Sequence, residues 1–116
     1  MSSFKIYHNP RCSKSRKALQ ILQDNNYDYE IILYLDIKLS SSLIADILKK
    51  LNLSPRDLLR KNELDYKDND LKNIKHSDND IINFMIQFPK LIERPIVIKE
   101  NKAVIGRPPE RVKELL

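Results

Sequence analysis

FKIYHNPRCSKSRKALQILQDNNYDYEIILYL, residues 4–35, decides the fold. FKIY at 4–7 alternates apolar and polar positions and reads as a short strand, and Asn9-Pro10 breaks it. A helix follows, with Ala18, Leu19, Ile21 and Leu22 on its apolar face, ending near Asn25-Asn26. YEIILYL at 29–35 is a second strand, and its near-continuous apolar run predicts one covered on both faces. Strand, helix and strand in this order make a βαβ unit, the connection of a parallel pair.

Outward from that unit the chain turns helical and then returns to strand. Ser40 to Ser42 open a helix with Leu43, Ile44, Ile47, Leu48 and Leu51 at helical spacing. Ser54 reads as an N-cap, with Pro55 at the first helical position and Asp57 three residues on, starting a short helix through Lys61. Residues 62–76 are polar and weakly patterned and read as loop. Ser77 caps a further helix, with Asp78 and Asp80 in its first turn and Ile81, Ile82, Phe84 and Met85 inward, stopped by Phe88-Pro89. PIVIK at 95–99 and AVIG at 103–106 form a hairpin, and PPERVKELL at 108–116 a terminal helix with Val112, Leu115 and Leu116 facing in. The fold class is therefore α/β, in the order β-α-β, helical insert, β-β-α. Residues 1–116 read as a single domain, with the insert at about 40–90 between two halves of one sheet.

Length and composition exclude several classes. A chain of 116 residues, 41% hydrophobic, is enough for a core without staples. No segment approaches the roughly 20 apolar residues of a membrane span. The first residues lack the apolar centre of a secretory signal, so a cytoplasmic location is expected. A single cysteine forbids an internal disulfide. The net charge of +5 is local: residues 1–23 carry five basic and no acidic residues, whereas the remainder carries sixteen of each. Such a concentration points to an anion site rather than a nucleic-acid face, which takes a wider basic stripe with aromatic residues in it.

The centre of that charge is HNPRCSKSRKA, 8–18. Cys12 falls between a strand end and a helix start, among Arg11, Lys14 and Arg16, with His8 in the same loop. Helix N-termini and cations both lower a thiol's pKa, so the position suits a reactive thiolate. The same amides and cations suit an oxyanion, with Ser13 and Ser15 adding hydroxyl donors. A buried inert thiol is the alternative, disfavoured by the polar neighbours. A metal site is not expected, since one cysteine with distant His8 and His76 makes no ligand set. In CSKS, Ser15 stands where a CxxC motif would place its second cysteine, so an external thiol must release any S-adduct of Cys12.

YHNPRCSKSR at 7–16, LYLD at 33–36, DLLRKNE at 57–63, FPKLIERPIV within the 84–97 segment and IGRPPE at 105–110 together resemble the glutaredoxin-dependent arsenate reductase family, specifically its short branch with a GRPPE motif. The resemblance spans essentially the whole chain. It implies a thioredoxin-like fold, a four-stranded mixed sheet with flanking helices and a helical insert, and a cis bond before Pro95. It places the nucleophile at Cys12, a thiolate-tuning histidine at His8, and three oxyanion-binding arginines at Arg60, Arg94 and Arg107. It also implies glutathione as co-substrate and glutaredoxin as reducing partner; no bound cofactor is expected, and nothing in the sequence argues against a monomer. The chain differs from the well-studied members in carrying Arg11 and Lys14 where they have small uncharged residues. Two other readings accompany arsenate reduction. One is the same thiol chemistry on a glutathione mixed disulfide or another oxyanion. The other is a polymerase-binding regulator of the same fold, whose CxxC redox switch CSKS cannot supply.

Overall fold

The computed structural model describes residues 3–116. The chain divides into two compact units, one of residues to Ile37 together with Arg94–Leu116, the other Lys38–Glu93.

The first unit is built on the sheet. Strands β1 (Phe4–Tyr7), β2 (Tyr29–Ile32), β3 (Ile96–Lys99) and β4 (Lys102–Ile105) lie in the order β2-β1-β3-β4. β1 pairs parallel with β2, Phe4 opposite Tyr29, and antiparallel with β3, Phe4 opposite Lys99. β3 and β4 form the predicted hairpin, closed at Glu100, which takes φ 57°. Helix α1 (Ser13–Asp24) connects β1 to β2. Phe4, Ile6, Ala18, Leu22, Val97, Val104, Val112 and Leu115 make one buried cluster from β1, α1, β3, β4 and the C-terminal turns. Each of the larger members contributes about 1.5–3 kcal/mol by leaving water. The cluster holds α1 against the sheet, and with it the loop that precedes α1.

Two sequence expectations change here. The second strand ends at Ile32 rather than residue 35, and it is an edge strand with Ile31 exposed, not one covered on both faces. β3, entering from the far end of the chain, takes the other side of β1 and leaves β2 outermost. The terminal helix is a 3-10 helix, Pro109–Leu115, and Leu116 is exposed while Val112 and Leu115 are buried.

The second unit comprises α2 (Ser41–Leu51), a 3-10 turn Pro55–Leu58, α3 (Leu64–Asp68), α4 (Asp78–Gln87) and a 3-10 turn Pro89–Leu91. The helix from Ser54 therefore stops at Leu58, short of Lys61, and the presumed loop 62–76 contains a helical turn. The predicted caps are present. Ser40 Oγ accepts from Leu43 N–H, and Ser54 with Asp57 and Ser77 with Asp80 form capping boxes. With one glycine in the chain, helix ends use asparagine and aspartate in the left-handed region. Asn26, Asn52 and Asp70 have φ 58°, 58° and 50°, and the next residue's amide returns to Leu22, Leu48 and Tyr66 respectively.

Arg56 ties this unit together. Its guanidinium donates to the carbonyls of Leu71, Asn73 and His76 at 2.7, 2.9 and 3.0 Å. Hydrogen bonds from a charged donor are worth more than those from a neutral one. Arg56→Ala is expected to cost about 2–3 kcal/mol in a urea unfolding titration. A loss under about 0.5 kcal/mol would show that water replaces the arginine there.

Candidate active site

β1 ends at Tyr7, and the His8 amide still donates to Ile32 O at 2.9 Å, so the chain leaves the sheet only at Asn9. There it turns twice. Arg11 N–H donates to Asn9 Oδ1 (3.0 Å), and Cys12 N–H to Asn9 O (3.0 Å). Cys12 is the N-cap of α1, in extended conformation, and its carbonyl accepts the first helical bond from Arg16 N–H at 3.0 Å. No side chain caps the helix, so its first amides remain for the sulfur or a ligand.

Cys12 is a free, half-buried thiol. Burial is the largest single influence on it and pushes its pKa up. The Ser15 amide, the Arg94 side chain, the Lys14 amide and the Arg94 charge each act the other way, and the net position lies below the ordinary thiol value. The mechanism is hydrogen bonding to, and charge beside, the anionic form.

Arg94 and Arg107 reach this place from the two ends of the hairpin. Arg94 precedes β3 and is joined to Pro95 by a cis peptide bond, as the resemblance implies; a second cis bond joins Arg107 to Pro108. Arg107 Nη1 donates to Arg94 O at 3.4 Å. Gly106 sets how closely the segments run. Its amide donates to Pro95 O at 2.8 Å, and a Cβ there would lie 2.9 Å from Pro95 Cγ and 3.4 Å from Ala18 Cβ. The requirement is for space, since Gly106 does not have positive φ. The only glycine in the chain thus lies where the Arg94, Arg107 and α1 segments meet.

His8 is buried, 5% exposed, and its Nδ1 lies 2.6 Å from Ser15 Oγ. Burial, and then the charge of Arg16, hold its pKa below the usual imidazole value. Ser15 is fully buried, and its hydroxyl also accepts from Asn9 N–H at 3.1 Å. The side chain of Ser15 is thus occupied within the loop, and it is the amide of this residue that serves Cys12. Sequence reasoning sees a hydroxyl beside a cysteine; which part of the serine is used depends on the turn. Ser13 is exposed in the first turn of α1, and Arg16 Nη1 donates to Pro10 O at 3.0 Å.

The structure brings Cys12, His8, Ser15, Arg94 and Arg107 together within the sheet unit. Arg60 belongs to the helical unit. A bridge between Leu59 and Ile92 fixes its backbone, Arg60 N–H donating to Leu91 O at 2.7 Å. Its Nε lies 3.3 Å from Glu63 Oε1 and its Nη1 3.5 Å from Glu93 Oε1. Among the described residues no helix is long and apolar enough to cross a membrane.

Residues 7–115 match the ArsC family. An Escherichia coli protein named "Uncharacterized protein YfgD" is 46% identical over 97% of this chain and 95% of its own. An arsenate reductase of Neisseria meningitidis is 39% identical over the full length of both. The solved structure titled arsenate reductase from Vibrio cholerae superposes with a TM-score of 0.96 at 40% identity, covering 99% of this chain and 98% of that one. The fold is the thioredoxin-like one.

Proposed function

The chain belongs to the ArsC family, and on that footing we propose that it is a thiol-dependent oxidoreductase that reduces arsenate to arsenite through Cys12. The Cys12 thiolate attacks arsenic in bound arsenate, forming an S–As(V) bond and expelling one oxygen as water after protonation. Arg94 and Arg107 hold the oxyanion and offset its developing charge. Arg60 is assigned to the same task by the resemblance alone. Glutathione thiolate then attacks the Cys12 sulfur. The S–As bond breaks with its electron pair on arsenic, which leaves as arsenite, As(III), and the two thiols become one mixed disulfide. The oxidation of two sulfurs balances the two-electron reduction of arsenic. Glutaredoxin takes the glutathionyl group and returns Cys12 as thiol.

The observation that carries this reading is the half-buried Cys12 sulfur at the uncapped start of α1, its pKa lowered by two amides and Arg94. Ser15, fully buried and bonded within the loop, leaves no resolving group one turn on, which favours an external thiol. The experiment is NADPH oxidation coupled through glutathione reductase, glutathione and glutaredoxin, with and without arsenate. Oxidation is expected to depend on arsenate and to produce arsenite stoichiometrically. Equal oxidation without arsenate would replace this reading by one in which a glutathione mixed disulfide is the substrate.

A further inference from the structure

Of the seven large apolar side chains exposed among the described residues, four lie between positions 27 and 37: Tyr27, Ile31, Leu33 and Ile37. Scattered singly, such residues are ordinary; gathered on one sheet edge, they ask for a partner. Ile31 stands opposite Ile6 in the register and shares its face of the sheet. Ile6 is fully buried and Ile31 is 42% exposed, so the cover that α1 gives β1 stops short of β2. The backbone of this edge is open as well. β2 is outermost, and its Asp28 and Ile32 carbonyls accept from the amides of Phe4 and His8. Alternation then turns the N–H and C=O groups of Tyr29 and Ile31 away from the sheet. The charge here is opposite to that of the Cys12 loop. Residues 24–37 carry Asp24, Asp28, Glu30 and Asp36 and no basic residue, whereas residues 1–23 carry five bases and no acid. Gln20 donates to Asp24, and Lys5 stands opposite Glu30 in the register, while Asp28 and Asp36 are exposed. The edge also runs to the site. β1 and β2 are parallel and finish side by side at the His8–Ile32 hydrogen bond. From there one segment continues to Cys12 and the other to Leu33, whose carbonyl accepts from the Asp36 amide at 2.9 Å and turns the chain.

We propose that the β2 edge and the turn after it, with Ile31, Leu33, Asp36 and Ile37, are the docking surface for the protein thiol that regenerates Cys12, a partner whose own cysteine is bordered by basic and apolar surface. The inference rests on the proposed function, in which a protein thiol must meet the Cys12 mixed disulfide. In that exchange the partner's thiolate attacks the glutathione sulfur. The S–S bond to Cys12 breaks, Cys12 leaves as thiolate, and the glutathionyl group departs in a new disulfide with the partner. The partner must therefore come up against the end of the sheet where Cys12 lies. The basic loop by itself selects an acidic partner. Asp28, Glu30 and Asp36 reverse that choice on the β2 side, so the two flanks together fix an orientation and steer the encounter. The apolar side chains supply the contact that holds it, and the open backbone of Tyr29 and Ile31 accepts an added strand.

The test uses no arsenate. The Cys12–glutathione disulfide is formed with oxidised glutathione, and its reduction by glutaredoxin is followed by mass spectrometry. Leu33→Ser combined with Ile37→Ser, both on exposed side chains, is expected to lower kcat/KM for glutaredoxin about tenfold, through KM, and to leave reduction by dithiothreitol within about twofold of wild type. Asp36→Lys is expected to slow glutaredoxin at low salt and to flatten the dependence of its rate on ionic strength. In 15N spectra of the wild type, added glutaredoxin is expected to shift the amides of residues 29–37. Unchanged glutaredoxin kinetics in the folded double variant overturn the proposal. An equal loss with dithiothreitol overturns it as well, because it marks damage at Cys12 rather than lost docking. A wild-type dimer in sedimentation equilibrium that Ile31→Lys dissolves would assign the edge to a second copy of the chain and overturn it too. If arsenate reduction fails while the glutaredoxin results hold, the substrate assigned to the site is wrong and the docking surface stands.

Discussion

Cys12→Ser abolishes arsenate-dependent NADPH oxidation, lowering it by at least about 1,000-fold. The loss has two sources. A serine hydroxyl is not ionised near neutrality, and the amides and Arg94 that bring a thiol below its ordinary pKa cannot bring an alcohol into that range. Serine also cannot carry the electrons. Reduction of arsenic requires the nucleophile to end in a disulfide with glutathione, and an oxygen there offers no such product. The variant should fold, because Cys12 is half-buried and lies outside the buried cluster of the sheet unit. Its stability is expected within about 1 kcal/mol of the wild type in the same unfolding titration. Arsenate-dependent turnover retained in a folded Cys12→Ser protein would sink the proposed function.

The sequence legible at this site was the local part. Phe4–Tyr7 matched its strand residue for residue, because alternation and the Asn9-Pro10 break are written within seven residues. The Ser54 and Ser77 caps were legible for the same reason, a capping box being a spacing of three. What failed depended on residues far along the chain. The run at 29–35 looks like a central strand, yet its place at the sheet edge follows from β3 pairing with the other side of β1. Arg56 looks like one more surface cation until residues 71–76 bring three carbonyls to it. The arginines of the site were found by resemblance, since no periodicity singles out Arg94 or Arg107. What could have singled them out is the one glycine, Gly106: in a chain that caps its helices with Asn and Asp, a lone glycine marks a close approach.

Arg94→Ala should separate from every other charge change by moving two observables at once. Arg94 lowers the Cys12 pKa both as a hydrogen-bond donor and by its charge, whereas Arg107 is resolved only as a donor to Arg94 O. Removing the side chain leaves burial, which pushes the thiol up, opposed by the two amides alone. The pH midpoint of iodoacetamide alkylation at Cys12 is therefore expected to rise. The thiolate forms as pH passes upward through its pKa, so the rate lost through ionisation is greatest below the wild-type midpoint and shrinks as pH increases. A second loss does not shrink with pH. The guanidinium fork is also the group proposed to hold the oxyanion as charge develops, and removing such a donor costs about 100-fold to 1,000-fold in kcat/KM. At high pH only this second part remains, so a pH profile separates the two roles. Arg94→Lys keeps the charge but not the planar fork, and should recover the alkylation midpoint more fully than turnover. Arg111→Ala is the control. Its side chain is 44% exposed and paired with Glu114 at 3.1 Å, so its removal should leave both observables within about twofold of wild type. An Arg94→Ala profile displaced downwards by the same factor at every pH would deny Arg94 its effect on the thiol and leave the two amides as what holds Cys12 in its anionic form.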